Sequence, residues 1–459
     1  MQPTKLNHTL DSWTRAVSLL MLGGICYVLS GSALAQQPLP TEDQPQLRIQ
    51  GSNTVGAKLG PALVKGLLQQ QGLQDISLQP AGENETKASG FTADGRKVTV
   101  ALAAHGSSTG FAALQDGSAA LAAASRPIKS AEQQSLQAYG DMRSRNSEQV
   151  IAIDGVAVIV SPDNPLQSLD TRQLAALFAG EITDWSQLGS KPGAVNIYAR
   201  DDNSGTYDTF KELVLAPQGK TLGASAMRFE SNDQLSDRVS ADPYGIGFVG
   251  LPSIRSSKAL AIADGESVAM FPSRELIATE DYPLSRRLFF YLKPGEENQW
   301  AHALVGFAQS PAGQAIVAQS GFIAQDVQAV KVQSSNDMPD SYRALAGQAK
   351  RLTVNFRFKE GSATLDNKAH YDIDRVSAYL LANQTVYSKV VLVGFGDPKS
   401  SPDRAQLLSR LRSTVVSLAL GENSRLPREI IGLGDELPVA ANSADEGRKK
   451  NQRVEVWVY

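Results

Sequence analysis

Three short segments of the chain combine glycine with small hydroxyl residues, a composition suited to holding an oxyanion. They are residues 51–54 (GSNT), 106–109 (GSST) and 203–206 (NSGT), and Arg200 precedes the third. Hydroxyls and free N–H groups at the start of a helix donate hydrogen bonds to anions, and arginine adds a charged, planar set of donors. One such segment alone is an ordinary helix cap. Three of them with an arginine predict a single anion site assembled from distant parts of the chain.

These segments need a strand before them and a helix after them to hold their donors in place. The hydrophobic pattern predicts strands at 47–50, 98–103 and 195–198, and helices at 55–71, 111–115 and 207–215. A strand, a glycine turn and a helix form the unit of α/β folds that points a helix start at a ligand. Residues 150–160 are rich in β-branched side chains and predict a buried strand that crosses between lobes.

The N-terminal segment has the features of a secretory signal peptide. Lys5 and Arg15 precede an apolar stretch at 16–29, and a small-x-small pattern ends at Ala35. We therefore expect residues 1–35 to be removed near Ala35 and the protein to be periplasmic. The apolar stretch is shorter than the ~20 residues that span a bilayer, so no transmembrane segment is expected. The single cysteine, Cys26, lies in this segment, which predicts a mature chain without disulfides.

The net charge and the histidine content argue against a nonspecific nucleic-acid-binding protein and against a metalloprotein. The formal net charge of −3 argues against nonspecific nucleic-acid binding, so anion recognition must be local. Beyond the signal segment the histidines are His105, His302 and His370, without the spacing of a metal site. No metal and no cofactor are expected.

Polar and proline-containing stretches separate two folded parts. We predict a leader at 36–46, a first domain at 47–330, a linker at 331–350 and a second domain at 351–459. In the second domain, strands are predicted at 352–358, 389–393 and 454–459. A helix follows Ser401-Pro402 and carries four large apolar side chains on one face: Leu408, Leu411, Val415 and Leu418.

Residues 47–330 resemble the phosphate-binding proteins that serve ABC transporters. The matching segments are GSNTV (51–55), GSSTGF (106–111), ALFAGEITDWSQLG (176–189), RDDNSGTYDTF (200–210), YGIGFVGL (244–251) and YPLSR (282–286). The resemblance implies an α/β, two-lobed type II periplasmic binding protein fold. Its lobes would be residues 47–153 plus 250–330, and residues 154–249, with the anion in the cleft between them.

The same resemblance implies which residues hold the anion. Phosphate or a similar inorganic oxyanion would be bound by Thr54, Val55, Ser107, Arg200, Ser204, Gly205 and Thr206. Four further residues are expected around them: Ser52, Ser108, Arg126 and Asp202, the last as a partner that orients Arg200. His105, beside the second turn, either adds a donor to the anion or faces solvent.

One departure from the family leaves the identity of the anion open. Familiar phosphate binders carry an aspartate where this chain has Ser125-Arg126, and that carboxylate accepts the proton of hydrogen phosphate, which sulfate lacks. Asp201 is a substitute acceptor in this interpretation. Arg126 either contributes to the anion site, faces solvent or braces a loop.

Residues 351–459 resemble the OmpA-like peptidoglycan-binding domain, a small α+β fold. The matching segments are VGFGDP (393–398), RAQLLSRLRSTVVSLAL (404–420), GLGDELPVAAN (432–442) and GRKKNQRVEVWV (447–458). The resemblance implies that Asp397 and Arg412 hold the diaminopimelate of the peptide stem. Arg448, Asn451 and Arg453 either line the same pocket or are structural, and Ala405 replaces an asparagine of the family pattern.

Together these observations predict a non-enzymatic protein of a Gram-negative envelope that binds an oxyanion and is tethered to peptidoglycan. An ABC permease is the expected partner if the protein feeds a transporter. The alternative is a wall-anchored protein that buffers or senses phosphate or mediates adhesion. From another class, a metal-independent phosphatase would use Ser107 or Ser204 as its nucleophile.

Overall fold

The computed structural model describes residues 44–202, 204–359, 361–399, 401–421, 427–443 and 445–459. The predicted signal peptide, its cleavage site at Ala35 and Cys26 lie outside these residues. The strands are β1 Leu47–Gly51, β2 Gln74–Gly82, β3 Glu85–Phe91, β4 Lys97–Ala103, β5 Leu121–Ala124, β6 Glu148–Val160, β7 Ser168–Asp170, β8 Asn196–Arg200, β9 Met227–Phe229, β10 Gly245–Gly250, β11 Lys258–Ala259, β12 Ala261–Ala263, β13 Ser285–Tyr291, β14 Ala329–Val330, β15 Lys350–Arg357, β16 Val390–Gly394, β17 Glu429–Gly432 and β18 Arg453–Val458.

The helices alternate with these strands along the chain. They are α1 Gly60–Gln70, α2 Ser107–Asp116, α3 Ser130–Ser135, α4 Thr171–Phe178, α5 Gly205–Phe210, α6 Asn232–Ser240, α7 Arg274–Ala278, α8 Gln299–Gln309, α9 Pro311–Gln319, α10 Asp340–Gln348, α11 Asn367–Ala382, α12 Pro402–Leu420 and α13 Asp445–Asn451. Wider π-helical turns at Val55–Leu59 and Lys211–Leu215 precede α1 and follow α5.

A large sheet carries the first domain. Its strand order is β2-β3-β4-β1-β5-β13-β6-β10-β8-β9, and β11 also pairs with β6. Strand β1 is parallel to both of its neighbours, β4 and β5. The carboxyl ends of these three strands therefore lie at one edge of the sheet, where the turns that follow them meet.

Strand β6 connects two lobes with separate cores. Its first half pairs with β13 and its second half pairs with β10. Ile151 and Ala152 belong to the core of lobe 1, whereas Val156 and Val158 belong to the core of lobe 2. One continuous strand therefore passes from lobe 1 (44–153 and 285–325) into lobe 2 (154–284).

The lobe boundary differs from the expected one, because the chain returns to lobe 1 at β13 and not at residue 250. Strand β11 pairs with the lobe 2 half of β6, and β12 pairs with β7. Leu260, Ile262 and Tyr282 are buried in the core of lobe 2. The pairing of these short strands, which have little sequence signal of their own, keeps residues 258–284 in lobe 2.

A five-stranded sheet, in the order β14-β15-β18-β16-β17, forms the C-terminal module. Part of the segment expected to be a linker is helix α10, which packs on this sheet. Its Tyr342, Leu345 and Ala346 are buried in one cluster with Phe395 and Trp457. Apolar residues spaced three and four apart give α10 a buried apolar stripe. The polar residues before the helix dominate the composition of the segment, so composition alone predicted a linker.

Helix α12 begins where predicted, because Ser401 Oγ accepts the backbone N–H of Arg404 at 3.3 Å. Its buried face differs from the apolar face noted in the sequence: Leu411 and Leu418 are 49% and 73% exposed. The buried face consists of Ala405, Ser409, Arg412, Ser413, Val416 and Ser417. Small residues are needed there because the helix lies directly on Gly394 of β16, where a Cβ would come within 2.1 Å of the Ser409 carbonyl oxygen.

Among the described residues, no helix combines the length and the apolar character needed to cross a membrane.

Candidate functional site

The first two glycine and hydroxyl turns meet at the edge formed by β1, β4 and β5. Gly106 N–H donates to the Gly51 carbonyl at 2.8 Å, which joins the two turns directly. The Ser107 hydroxyl accepts the backbone N–H of Ser125 at 3.1 Å and lies 3.4 Å from the Ser125 hydroxyl. Ser125, at the end of β5, is fully buried and adds a hydroxyl that the sequence-based site did not include.

Hydrogen bonds within the first turn fix its conformation. The backbone N–H of Val55 lies 3.4 Å from the Ser52 hydroxyl, and Ser52 is fully buried. Ser52 is therefore a local support for the turn, and the half-buried Thr54 presents its hydroxyl to the other lobe.

The third turn, from lobe 2, lies directly against the first two. The hydroxyls of Thr54 and Thr206 are 3.5 Å apart. A Cβ added to Gly205 would lie 1.8 Å from Ser125 Oγ, so only glycine allows this approach. The Ser204 hydroxyl caps α5 by accepting the Thr206 N–H at 3.2 Å. The structure therefore brings the three turns together across a closed cleft.

Arg200 lies at the end of β8, fully buried and held by the backbone of lobe 2. Its Nε donates to the Phe229 carbonyl at 3.1 Å, and its Nη2 donates to the Glu230 carbonyl at 2.5 Å. Burial lowers its pKa to about 10; Asp201, whose carboxylate is 3.6 Å away, opposes this shift, and the positive charge of Arg286 adds to it. Two buried guanidinium groups thus interact at the cleft.

Asp202 does not orient Arg200, contrary to expectation. Its carboxylate pairs with Arg228 and is mostly exposed, and Asp201 is the acid beside Arg200. The two acids are adjacent in sequence, so their side chains point in different directions from the turn that follows β8.

Arg126 is a strut between the lobes, because its guanidinium is surrounded by partners from this chain. It is 2% exposed and forms two bonds with the Glu132 carboxylate, at 2.7 and 2.8 Å. It also donates to the Ser108 hydroxyl at 2.8 Å and to Asp208 of lobe 2 at 3.3 Å. Its burial is contrary to a solvent-facing Arg126, and these contacts favour bracing over a place in the anion site; they give Ser108 the same role.

Arg286, the last residue of the YPLSR segment, occupies the centre of the cleft. Its Nη2 donates to the hydroxyls of Thr54, at 3.3 Å, and Thr206, at 3.1 Å. Its Nη1 donates to the Gly205 carbonyl at 2.8 Å. One side chain thus touches the first and third turns at once, although it was not among the predicted site residues. The YPLSR segment itself was the available signal.

Asp154 is the counter-ion of Arg286 and is fully buried. The two residues are paired across β6 and β13, and Asp154 Oδ2 accepts bonds from Nη2 at 2.6 Å and Nε at 3.0 Å. Asp154 Oδ1 is buried without a hydrogen-bond partner among the described residues. An aspartate within an apolar strand run was the sequence signal for this residue, since buried carboxylates are rare without a specific role.

His105 lies outside this cluster. Its Nε2 is 3.1 Å from Glu85 Oε1, and both side chains are about two-fifths exposed. Of the two interpretations, this position favours the solvent-facing one. Within the described part of the chain, no group of three or more histidines, cysteines or acids is arranged to hold a metal ion.

The C-terminal module brings Asp397 and Arg412 together through Gln452. The Gln452 amide donates to Asp397 Oδ1 at 2.8 Å and accepts from Arg412 Nη2 at 2.8 Å. Asp397 Oδ2 also accepts the ammonium of Lys399 at 2.6 Å. Arg412 Nη1 is buried without a hydrogen-bond partner among the described residues, and burial lowers the pKa of this arginine.

The other three predicted pocket residues have contacts that favour the structural alternative. Asn451 is fully buried, and its amide oxygen accepts the backbone N–H groups of Val439 and Ala440. Arg453 lies between Glu455 and Asp281, at 3.2 and 3.7 Å. Arg448 donates to the Asn442 carbonyl at 2.8 Å and pairs with Asp445.

Sequence comparisons match the two parts of the chain to two families. A model of the PBP superfamily domain matches residues 73–312, and a model of the OmpA family matches residues 357–452. The phosphate-binding protein PstS of Borreliella burgdorferi is 30% identical over 183 residues, which cover 38% of this chain and 65% of that protein. Protein SphX of Synechococcus elongatus is 32% identical over 220 residues, or 46% and 64% of the two chains. The chain thus spans slightly less than two thirds of each relative.

Two solved structures were also found to be similar. One is a putative phosphate ABC transporter substrate-binding protein with bound phosphate from Clostridium perfringens, at 23% identity and a TM-score of 0.48, covering 61% of this chain and 98% of that one. The other is an ABC-type phosphate transport receptor from Vibrio cholerae, at 23% identity and a TM-score of 0.46, covering 60% and 99%. Because the superfamily match spans more than half of its residues, this chain belongs to the PBP superfamily, and it carries an OmpA family domain at 357–452.

Proposed function

We propose that this protein binds phosphate in the cleft between its two lobes and attaches to peptidoglycan through its C-terminal module. The observation that carries the first part is the guanidinium of Arg286, which lies within 3.3 Å of the Thr54 and Thr206 hydroxyls on opposite sides of the cleft. The relatives named as phosphate-binding proteins support the choice of anion. The predicted signal peptide and the two families support a periplasmic location.

A tetrahedral anion in this cleft would receive donors from several directions. Thr54, Ser107 and Thr206 supply hydroxyls, and Gly205 supplies a backbone N–H. The N–H groups of Val55 and Thr206 already donate to the Ser52 and Ser204 hydroxyls and would have to be shared with the anion. Arg286 and Arg200 supply charge, since both are buried and the charge of Arg286 helps to lower the pKa of Arg200. Charge-assisted hydrogen bonds in a site of low dielectric constant are stronger than neutral ones. Several such donors can replace the hydration shell of a dianion.

Asp154 is the proposed acceptor for the proton of hydrogen phosphate. It replaces the aspartate that the family pattern places at position 126, where Arg126 is fully occupied by Glu132, Ser108 and Asp208. Asp154 Oδ1 is a buried acceptor without a partner among the described residues. A buried acceptor is costly unless something donates to it, and sulfate has no proton to give. The cleft would therefore prefer phosphate to sulfate.

Calorimetric titration of the full chain with phosphate and with sulfate tests this proposal. We expect Thr206→Val to weaken phosphate binding about tenfold, because a hydrogen bond to a charged group contributes roughly 1.5 kcal/mol. Thr414→Val, on the remote helix α12, is the matched control. Asp154→Asn should narrow the preference for phosphate over sulfate. Equal affinity of the unchanged protein for the two anions would contradict the role of Asp154.

The C-terminal pocket fits a zwitterionic diamino acid such as the diaminopimelate of the peptide stem. Asp397 can pair with an ammonium group, and Arg412 Nη1, which has no hydrogen-bond partner within the described part of the chain, can pair with a carboxylate. Cosedimentation with purified peptidoglycan should be lost in the Asp397→Ala, Arg412→Ala double variant. The control changes Asp403 and Arg410 to alanine, since both are exposed on the same helix. Equal pelleting of both variants would contradict the pocket.

Delivery of phosphate to an ABC permease is the proposed role for the bound anion, and wall-held buffering, sensing or adhesion is its alternative. Phosphatase activity is not favoured by the contacts of its two candidate nucleophiles. The Ser107 hydroxyl accepts from the Ser125 backbone, and the Ser204 hydroxyl accepts from Thr206 and Tyr207. Ser204 caps α5 and Ser107 supports the end of β5, and neither contact activates a hydroxyl as a nucleophile, which supports binding without covalent chemistry.

A further inference from the structure

The C-terminal module contacts both lobes of the first domain. On lobe 1, the amide of Asn367 donates to the Arg143 carbonyl at 2.9 Å, and the Tyr371 hydroxyl donates to Gln149 at 3.1 Å. On lobe 2, the backbone N–H of Ala441 donates to Asp264 at 2.8 Å. Val439 of the module is buried in the hydrophobic core of lobe 2. The module therefore bridges the two bodies that form the cleft.

A third contact is the segment 279–284, here called the hinge loop, which immediately precedes β13. Asp281 is 2% exposed, accepts from Arg351 of the module at 2.7 Å and accepts from Asn355 at 2.8 Å. Arg357 donates to the Glu280 carbonyl at 3.2 Å. The loop is thus inserted among cationic and polar side chains of β15.

Glu280 indicates how firmly the hinge loop is held. Its φ of 58° lies in the left-handed region, which disfavours residues other than glycine, so surrounding contacts must maintain it. Burial alone would raise its pKa, but Arg287 and Lys368 hold the pKa at about 2. Lys368 belongs to the module, and Arg287 also pairs with Asp366 of the module at 2.7 Å.

The hinge loop leads directly into the anion cleft. The Lys450 ammonium of the module contacts the carbonyls of Pro283 and Ser285, the second at 3.5 Å. The next residue is Arg286, which contacts Thr54 and Thr206. Four residues separate Asp281 from Arg286, and so docking of the module fixes the segment that carries the central guanidinium.

The cleft beneath this bridge is closed. Besides the contact of Thr54 with Thr206, the Asn84 amide of lobe 1 donates to Glu230 of lobe 2 at 2.6 Å, and Lys58 lies 3.7 Å from Asp233. Opening a two-lobed binding protein rotates one lobe against the other. Such a rotation would separate Asn367 and Tyr371 from lobe 1 or Ala441 from lobe 2.

We infer that the docked C-terminal module acts as a clamp on the hinge, which favours the closed cleft and slows release of the anion. The module would thus control the cleft as well as tether it. The inference about release rests on the proposed phosphate site, whereas the inference about closure does not. A ligand shifts a two-state equilibrium only through its different affinity for the two states, and a domain docked to one of them acts in the same way.

The test measures lobe separation and anion release in the full chain. Spin labels are attached at Lys65→Cys on lobe 1 and Gln234→Cys on lobe 2, both exposed positions, with Cys26→Ser removing the single native thiol. Pulsed electron resonance then gives the distance between the labels, without anion and with inorganic phosphate. We expect one short, narrow distance distribution in both conditions for the otherwise unchanged protein.

Three variants weaken different contacts of the clamp. Asp281→Asn removes the negative charge that pairs with Arg351. Lys450→Met removes the contact of the module with the hinge loop. The Asn367→Ala, Tyr371→Phe double variant weakens the contact of the module with lobe 1. Each should add a longer distance in the anion-free protein and increase the phosphate dissociation rate in stopped-flow measurements about tenfold or more, as expected for loss of a few hydrogen bonds to charged groups. Asp94→Asn, in an exposed ion pair with Arg96 on the β3–β4 hairpin, is the matched control.

The outcomes separate this inference from the proposed function. If the unchanged protein has mostly the long distance without anion, or if Lys450→Met and the Asn367, Tyr371 pair keep the short one, the clamp is refuted. If phosphate changes the label distance in no sample but the variants still show the longer distance, the proposed phosphate site is refuted and the clamp is supported. Should Asp281→Asn not fold, the other two variants decide the question.

Discussion

The interlobe cleft and the C-terminal pocket each bring together some of the residues that their sequence motifs point to, but they differ in what already contacts those residues. In the cleft, hydroxyls of the first and third turns meet at Arg286, and Asp154 keeps one acceptor atom without a hydrogen-bond partner among the described residues. In the pocket, Asp397 already holds the ammonium of Lys399 and the amide of Gln452. A motif therefore places the functional groups, and their neighbours determine how much of each group is available to a ligand.

Replacing Arg286 should have the largest effect and would remove the centre of the cleft. In Arg286→Met, the hydroxyls of Thr54 and Thr206 lose their shared donor and Asp154 is left buried without a counter-ion. We expect phosphate affinity to fall more than about 100-fold, since truncating a buried charge pair costs roughly 2–5 kcal/mol in binding. Calorimetry measures the affinity.

The Arg286→Met, Asp154→Asn double variant separates binding from folding. It removes the unpaired buried carboxylate, so thermal stability should recover relative to Arg286→Met while binding stays weak. If this folded double variant binds phosphate as tightly as the unchanged protein, the cleft around Arg286 is not the phosphate site.

Gly205→Ala should have the next largest effect, because it prevents the turns from meeting. The new Cβ would lie 1.8 Å from Ser125 Oγ, so the lobes could approach only by displacing one turn. Overpacking of this kind costs about 1–3 kcal/mol, which predicts phosphate binding about 30-fold weaker. Gly306→Ala is the control, since a Cβ there meets no atom within 4 Å. Equal affinities of the two variants would mean that closure does not bring these turns together.

Lys399→Met tests whether the ion pair of Lys399 with Asp397 limits ligand binding in the C-terminal pocket. Removal of the ammonium that Asp397 holds would leave that carboxylate open to a ligand ammonium. Because a partly exposed ion pair contributes about 1 kcal/mol or less, peptidoglycan binding should strengthen by about fivefold at most. Quantitative cosedimentation measures this, with Lys389→Met as the exposed lysine control. Weaker binding would instead make Lys399 part of the pocket.

Arg126→Met should have the smallest effect on ligand binding. Its guanidinium is occupied by Glu132, Ser108 and Asp208, so phosphate affinity should change less than about threefold. Stability should fall by about 2 kcal/mol in denaturant unfolding, the scale of hydrogen bonds between charged groups. A loss of phosphate binding as large as that of Arg286→Met would make Arg126 a ligand of the anion and contradict its bracing role.

Local patterns in the sequence were sufficient to predict the turns and the elements beside them. Ser401 caps α12 as expected, and strands β1, β4 and β8 lie where the hydrophobic pattern placed them. The family and fold class were likewise confirmed by the superfamily and OmpA matches. The turns, the strands and the helix cap depend on residues that are close together in the chain, so hydrophobic periodicity and capping patterns can predict them.

Features that depend on distant pairing were not predictable in the same way. Arg286 and Asp154 are 132 positions apart and meet only because β13 pairs with β6. The leucines of α12 suggested an apolar buried face, yet Gly394 beneath the helix requires small residues there. Similarly, the lobe boundary depends on β11 and β12, which are two and three residues long.

The position of the Asp154–Arg286 pair has a kinetic consequence. It lies on β6 and β13, at the point where the core of lobe 1 gives way to that of lobe 2, which is where the axis of a lobe rotation would pass. The charges there would barely move during opening, whereas Thr54 and Thr206 travel with their lobes. An arriving anion would meet the same guanidinium, partly neutralised by Asp154, in either form. The association rate should therefore depend on the pair and on ionic strength, and the dissociation rate on the hydroxyls.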